Sequence, residues 1–173
     1  MKQQNYRYCI ALVCLWLGIF VGELSAKPNF VLMVAENPGY GDVACLGSRV
    51  NRTPHLDEMA NEGIKLTSFY VGSRVCTPSR AAFMTGCYPA RVSMELSGTR
   101  RLVLQPVAQK GLAPGEVTIA EVLKEKGYAT MCIGKWHLGD QAPFLPTGQG
   151  FGFSGPTRGG LAREVPRGPI VIQ

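Results

Sequence analysis

Gly127-Tyr128-Ala129-Thr130-Met131-Cys132-Ile133-Gly134-Lys135-Trp136-His137-Leu138-Gly139 decides the fold class. Tyr128 to Ile133 is a short apolar run of the kind that forms a strand. Gly134 closes it in a glycine-rich turn, and Lys135 and His137 then leave the strand end on the same side. Ligands of open α/β sheets collect at the carboxyl ends of strands. A cation and a titratable imidazole at such a place suit an anionic ester, one neutralising its charge and the other moving a proton. Taken singly, Lys135 reads as a solvated surface charge and His137 as a structural histidine beside Trp136.

The residues upstream supply the helices that such a sheet needs. Thr118 to Lys126 is expected to be helical. Thr118 and Glu121 form a capping box, Ile119, Val122 and Leu123 an apolar stripe, and Gly127 a stop. A nearly uninterrupted apolar run, residues 29–35, reads as a buried strand. Pro54 to Asn61 reads as a helix capped by Thr53 and stopped by Gly63. Ile64 to Val71 reads as a strand, Pro78 to Thr85 as a short helix, and residues 92–117 as a long loop or insert. Helices between buried strands predict an α/β sandwich with a largely parallel sheet.

Cys76-Thr77-Pro78-Ser79-Arg80 opens the short helix. Pro78 fits the first helical position, where its missing N–H is not needed. A helix start offers unpaired N–H groups and partial positive charge, so it suits an anion. Cysteine is also among the most buried residue types, and an isolated Cys-x-Pro carries little information.

Two long motifs in order and spacing carry more. Cys76-x-Pro78-Ser79-Arg80 followed by Thr85-Gly86 resembles the first sulfatase signature at every fixed position, and Gly127 to Gly139 resembles the second. The strand 28–35, Gly39-Tyr40-Gly41-Asp42, Cys45-Leu46-Gly47-Ser48 and Thr53-Pro54-His55-Leu56-Asp57 resemble the opening of the same family. Asp140-Gln141, Pro143 to Thr147 and Gln149-Gly150-Phe151 continue the likeness, which covers residues 28 to 153. The resemblance implies the alkaline-phosphatase-like α/β fold, here truncated to its N-terminal part, and the activity of a sulfuric ester hydrolase.

It also implies roles. In sulfatases the signature cysteine becomes formylglycine, whose hydrate carries two hydroxyls: one attacks sulfur and releases the alcohol, the other helps expel sulfate. Cys76 maps to that nucleophile and Arg80 to the residue that holds its hydroxyl. Lys135 maps to a sulfate-oxygen contact, and His137 to the partner of the second hydroxyl. Pro78 and Arg80 are the side chains read by the formylglycine-generating enzyme, an implied partner. The family's calcium ion maps to Glu36, Asn37 and the modified Cys76. Sulfatases have paired aspartates where Glu36 and Asn37 stand, so one negative charge is missing and weakened calcium binding is expected. Cys87 stands where the family has arginine. The family's downstream aspartate, asparagine or glutamine, lysine and histidine have no counterpart in this chain.

Composition bounds the rest. Lys2 and Arg7 precede the apolar run Tyr8 to Val21, with Leu24-Ser25-Ala26 as an imperfect cleavage site; residues 1–26 read as a secretory signal peptide, an uncleaved anchor being the alternative. The expected product is secreted or periplasmic, with no membrane segment after cleavage. Residues 27–157 read as the N-terminal part of a sulfatase catalytic domain, and 158–173, rich in Gly, Pro and Arg, as an unstructured tail. The chain's net charge is +6, but its basic residues are scattered, with Arg100-Arg101 the densest pair, so no nucleic-acid footprint is read. After loss of Cys9 and Cys14 and modification of Cys76, Cys45, Cys87 and Cys132 remain. That odd number implies one unpaired thiol or an intermolecular bridge. No paired-cysteine motif suggests zinc. Two other readings stay open: a catalytically inactive remnant or secreted binding protein, and a phosphoryl or phosphonate hydrolase of the same superfamily.

Overall fold

The computed structural model describes residues 27–95, 102–155 and 170–172. The expected signal peptide, Arg100-Arg101 and most of the expected tail lie outside the described residues. The elements in chain order are β1 (Phe30–Val31), α1 (Pro54–Glu62), α2 (Cys76–Thr85), α3 (Ile119–Glu125), β2 (Ala129–Cys132), β3 (Phe153–Ser154) and β4 (Ile170–Ile172), with 3-10 turns at Tyr40–Asp42, Ala44–Leu46 and Pro146–Gly148.

The strands form one sheet in the order β1-β4-β2-β3, and every pairing is parallel. Phe30 pairs with Val171, Thr130 with Val171, and Met131 with Phe153. This is the α/β class with a parallel sheet that the sequence predicts. Three expectations are corrected. Ile170-Val171-Ile172, placed in an unstructured tail, is a strand between β1 and β2; three consecutive β-branched residues suit it to that place. The first strand is confined to Phe30–Val31, where β4 offers a parallel partner. Ile64 to Val71 forms turns and irregular backbone, since no described strand pairs with it.

The helices follow their local signals. Thr118 Oγ1 accepts from the Glu121 N–H at 3.2 Å, and Glu121 Oε2 accepts from the Thr118 N–H at 2.7 Å. The same Thr118 hydroxyl donates to the carbonyl of Gln149 at 2.9 Å, so the cap also pins the 146–151 turn onto α3. Gly150 completes that contact. Its φ is +88°, and a Cβ there would stand 2.5 Å from the Glu121 backbone nitrogen, so only glycine allows the approach. In α1, Thr53 does not cap the helix through its side chain. Its hydroxyl instead accepts from the Ala44 N–H at 2.9 Å and donates to Asp57 Oδ1 at 3.1 Å, while the same Asp57 oxygen accepts from the Cys45 N–H at 2.7 Å. The Thr53–Asp57 turn thereby holds the Ala44–Leu46 turn.

The core lies between α2, α3 and β2. Ala81 and Met84 of α2, Ala120 of α3 and Cys132 of β2 pack with Leu104, Leu112, Trp136, Leu138 and Phe151. Trp136 meets Phe151 edge to face at 5.8 Å and donates through its indole nitrogen to the Phe144 carbonyl at 2.8 Å. This core fixes both flanks of the turn that carries Lys135 and His137.

Candidate active site

Helix α2 starts at Cys76, and three of its first five residues anchor it. Thr77 is 2% exposed, Pro78 is buried, and Arg80 is 9% exposed. The partly buried Cys76 stands on the first turn. Gly86, in left-handed conformation, ends the helix and donates to the Ala82 carbonyl at 2.8 Å.

Two hydrogen bonds join α2 to the turn after β2. Arg80 Nη1 donates to the Lys135 carbonyl at 2.6 Å, and Thr77 Oγ1 donates to the His137 carbonyl at 3.1 Å. The two motifs, some fifty residues apart in sequence, thus share one wall. Thr77 Oγ1 also accepts from the Leu104 N–H at 3.1 Å, which brings in the 102–106 segment.

His137 has a φ of +58°, a left-handed conformation uncommon outside glycine. Its Nε2 lies 2.9 Å from the Leu104 carbonyl oxygen. A carbonyl only accepts, so Nε2 carries the hydrogen, and in the neutral ring Nδ1 is the bare acceptor. Nδ1 is buried and has no hydrogen-bond partner among the described residues. The Leu104 carbonyl thus orients the ring and leaves the Nδ1 lone pair as its acceptor.

Lys135 is exposed on the same turn. Its ammonium pairs with Glu36 Oε1, and Glu36 Oε2 lies 3.9 Å from Arg80 Nη2. The Lys135 hydrogen bond holds the Glu36 carboxyl below the ordinary carboxylate range; the charges of Lys135, Arg80 and His137 act in the same direction, and burial opposes them. Glu36 is therefore an anion at neutral pH. Beside the site lies a cleft of about 900 Å³, whose walls include Leu104, Gln105, Lys135, His137, Gln141 and Pro146.

A sulfatase family model matches residues 28–165. The chain belongs to the sulfatase family. It is 50% identical over 118 residues to steryl-sulfatase of Mus musculus, covering 68% of this chain and 19% of that protein. With arylsulfatase A of Homo sapiens it shares 46% identity over 140 residues, 79% of this chain and 27% of the relative. The crystal structure of the PsFucS1 sulfatase from Pseudoalteromonas sp. superposes with a TM-score of 0.65 at 33% identity, over 80% of this chain and 27% of that one. The fold is accordingly the alkaline-phosphatase-like α/β fold. This sulfatase chain spans between 19% and 27% of the length of these curated relatives.

Sulfatases in general carry a formylglycine-type modification of cysteine and bind calcium. Cys76, at a helix start one turn from Arg80, fits the first. The fit to calcium fails in the present arrangement. Calcium takes six to eight oxygen ligands. Glu36 faces two cations, and Asn37 sits in left-handed backbone at φ +64° ahead of Pro38. Among the described residues no cluster of three His, Cys, Asp or Glu side chains is placed to hold a metal ion.

The fold thus gathers Cys76, Arg80, Lys135, His137 and Glu36 at one end of α2 and β2, with Asn37 beside Glu36. Sequence reasoning missed Thr77 and the Leu104 carbonyl. Thr77 is the variable position of its motif, and a backbone carbonyl leaves no mark in sequence. It also missed the pairing of Glu36 with Lys135, which spans 99 positions.

Proposed function

We propose that this chain carries the nucleophile half of a sulfuric ester hydrolase site. The observation that carries the reading is the tie between Arg80 and the Lys135 carbonyl, which sets the head of α2 against the turn bearing Lys135 and His137. Modified Cys76, as a hydrated aldehyde, would supply a hydroxyl nucleophile to sulfur. Arg80 would hold that hydroxyl's charge, its guanidinium fixed by the Lys135 carbonyl. Lys135 would contact a sulfate oxygen, and the leaving alcohol would lie in the adjoining cleft. His137 Nδ1 would accept a proton, its tautomer set by the Leu104 carbonyl. Arylsulfatase-like sulfate esters are the substrate class and the formylglycine-generating enzyme the processing partner. A secreted or periplasmic location follows from reading residues 1–26 as a signal peptide. The chain spans 19% to 27% of the steryl-sulfatase and arylsulfatase A relatives, and little turnover is expected of the 173 residues by themselves.

The test is the chemical state of Cys76. The full chain is co-expressed with a formylglycine-generating enzyme, and the tryptic peptide containing Cys76 is weighed and reacted with a hydrazide. An aldehyde at Cys76, absent in Cys76→Ala, is the expected result. An unmodified thiol would sink the reading in favour of an inactive remnant. Robust calcium-dependent arylsulfatase activity from the 173-residue chain would overturn the expected lack of turnover.

A further inference from the structure

The two cations assigned to the nucleophile and to sulfate already face a carboxylate. Glu36 Oε1 is bonded to the Lys135 ammonium, and Glu36 Oε2 stands 3.9 Å from the Arg80 guanidinium. A carboxylate presents two oxygens to two cationic donors, as a bound sulfate would present two of its own. The placement is not held by a deep core. The Glu36 and Lys135 side chains are both 39% exposed, whereas the Arg80 side chain is only 10% exposed and is fixed through the Lys135 carbonyl. One partner of the cluster is rigid, therefore, and the carboxylate and the ammonium meet at the surface, where an ion pair is weak and exchangeable. Glu36 also ends the segment that follows β1 and is succeeded by Asn37 in left-handed backbone, so the carboxylate rides on a loop rather than on a strand.

We propose that Glu36 is an internal competitor for the oxyanion site: its carboxylate occupies the place of a substrate's anionic oxygens between Lys135 and Arg80 and has to swing away before an anion binds. The inference rests on the reading of Lys135 and Arg80 as oxyanion contacts. It makes Glu36 a determinant of anion affinity, and it sets the residue against the role of calcium ligand that the family likeness assigns it. The local charge agrees. With Glu36 in place, Lys135 and Arg80 keep one net positive charge; without it they offer two.

The experiment measures binding of inorganic sulfate to the full chain by calorimetry, in chelator and at fixed ionic strength, with Cys76 as the thiol. Glu36→Gln keeps the shape and removes the charge. It is expected to bind sulfate about fivefold more tightly than the parent, the equivalent of about 1 kcal/mol for a surface pair. The gain is expected to vanish in the Lys135→Met background, which separates competition at Lys135 from a general change in net charge. Circular dichroism of each variant checks the fold, and Glu36→Asp, which shortens the reach, serves as the second variant and is expected to fall between parent and Glu36→Gln. Equal or weaker binding by Glu36→Gln, no sulfate binding by either protein at tens of millimolar, or a gain that persists without Lys135 would each overturn the proposal. So would calcium that tightens sulfate binding in the parent and not in Glu36→Gln, since Glu36 would then be a metal ligand. None of these outcomes touches the chemical state of Cys76, so failure here is distinguishable from failure of the sulfatase reading.

Discussion

The hydroxyl of Thr77 donates to the main-chain carbonyl of His137 and accepts from the N–H of Leu104, both at 3.1 Å. A single buried oxygen thus joins the head of α2, the turn after β2 and the 102–106 segment. The same His137 is gripped from its ring by the Leu104 carbonyl. The strained histidine is held at backbone and side chain by groups that meet at Thr77.

Thr77→Val keeps the shape and removes both hydrogen bonds. It leaves a buried carbonyl and a buried N–H without this partner, at a cost of about 1–3 kcal/mol. Thr77→Ser keeps the oxygen and is expected to lose less than half as much. Urea unfolding of the two variants checks this, and equal losses would show that the methyl group, not the hydroxyl, matters.

Arg80→Lys is not conservative at this position. The guanidinium donates to the Lys135 carbonyl through one nitrogen and faces Glu36 through another, and the single nitrogen of a shorter lysine side chain reproduces one at most. A loss of roughly 1–3 kcal/mol in unfolding free energy is expected, with Arg80→Met at least as damaging. Full stability in Arg80→Lys would mean that the tie to Lys135 contributes nothing.

Gly150→Ala is expected to destabilise by more than about 2 kcal/mol. It adds a Cβ 2.5 Å from the Glu121 nitrogen and forces an L-residue to φ +88°. The neighbour is backbone at a capped helix start and has no room to retreat. Gly41→Ala, with nothing within 4 Å of its added carbon, is the control and stays within about 0.5 kcal/mol of the parent. Thermal melts of both variants decide the matter.

Burial pushes the Cys132 thiol from 9.0 up to about 11, against the opposing charge of Arg80. The unfolded chain ionises this thiol first, so the folded state binds more protons between those two values. The contribution to stability is therefore intact below pH 9 and is lost progressively as pH rises towards 11. Two measurements follow. Stability falls across that window in the parent and falls less in Cys132→Ala. In folded protein at pH 8.5, iodoacetamide labels the half-buried Cys45 and Cys87 well before the fully buried Cys132, as read by mass spectrometry.

Much of this molecule is legible one segment at a time. The Thr118–Glu121 capping box formed where the sequence placed it, because a cap is satisfied by groups three residues apart. The helix behind Cys76 was equally local. The expected strand at Ile64 to Val71 failed for the opposite reason. An apolar run states a preference, but a strand exists only where another strand supplies its hydrogen bonds. Ile170-Val171-Ile172 shows the converse, since its flanking glycines and prolines masked a run that the sheet takes in between β1 and β2.

The sequence by itself determined the chemistry available: a thiol at a helix start, a guanidinium one turn on, a lysine and a histidine two residues apart after a strand. Those facts follow from bonding and spacing over a dozen residues. Only the tertiary structure decided which groups are engaged with one another. It set Glu36 against Lys135 across 99 positions, fixed the hydrogen on His137 Nε2 through Leu104, and joined the two motifs through Thr77 and Arg80. Such pairings depend on closing long loops around a common core. The residue types record the groups that can pair, and the packed core selects the pairs that do.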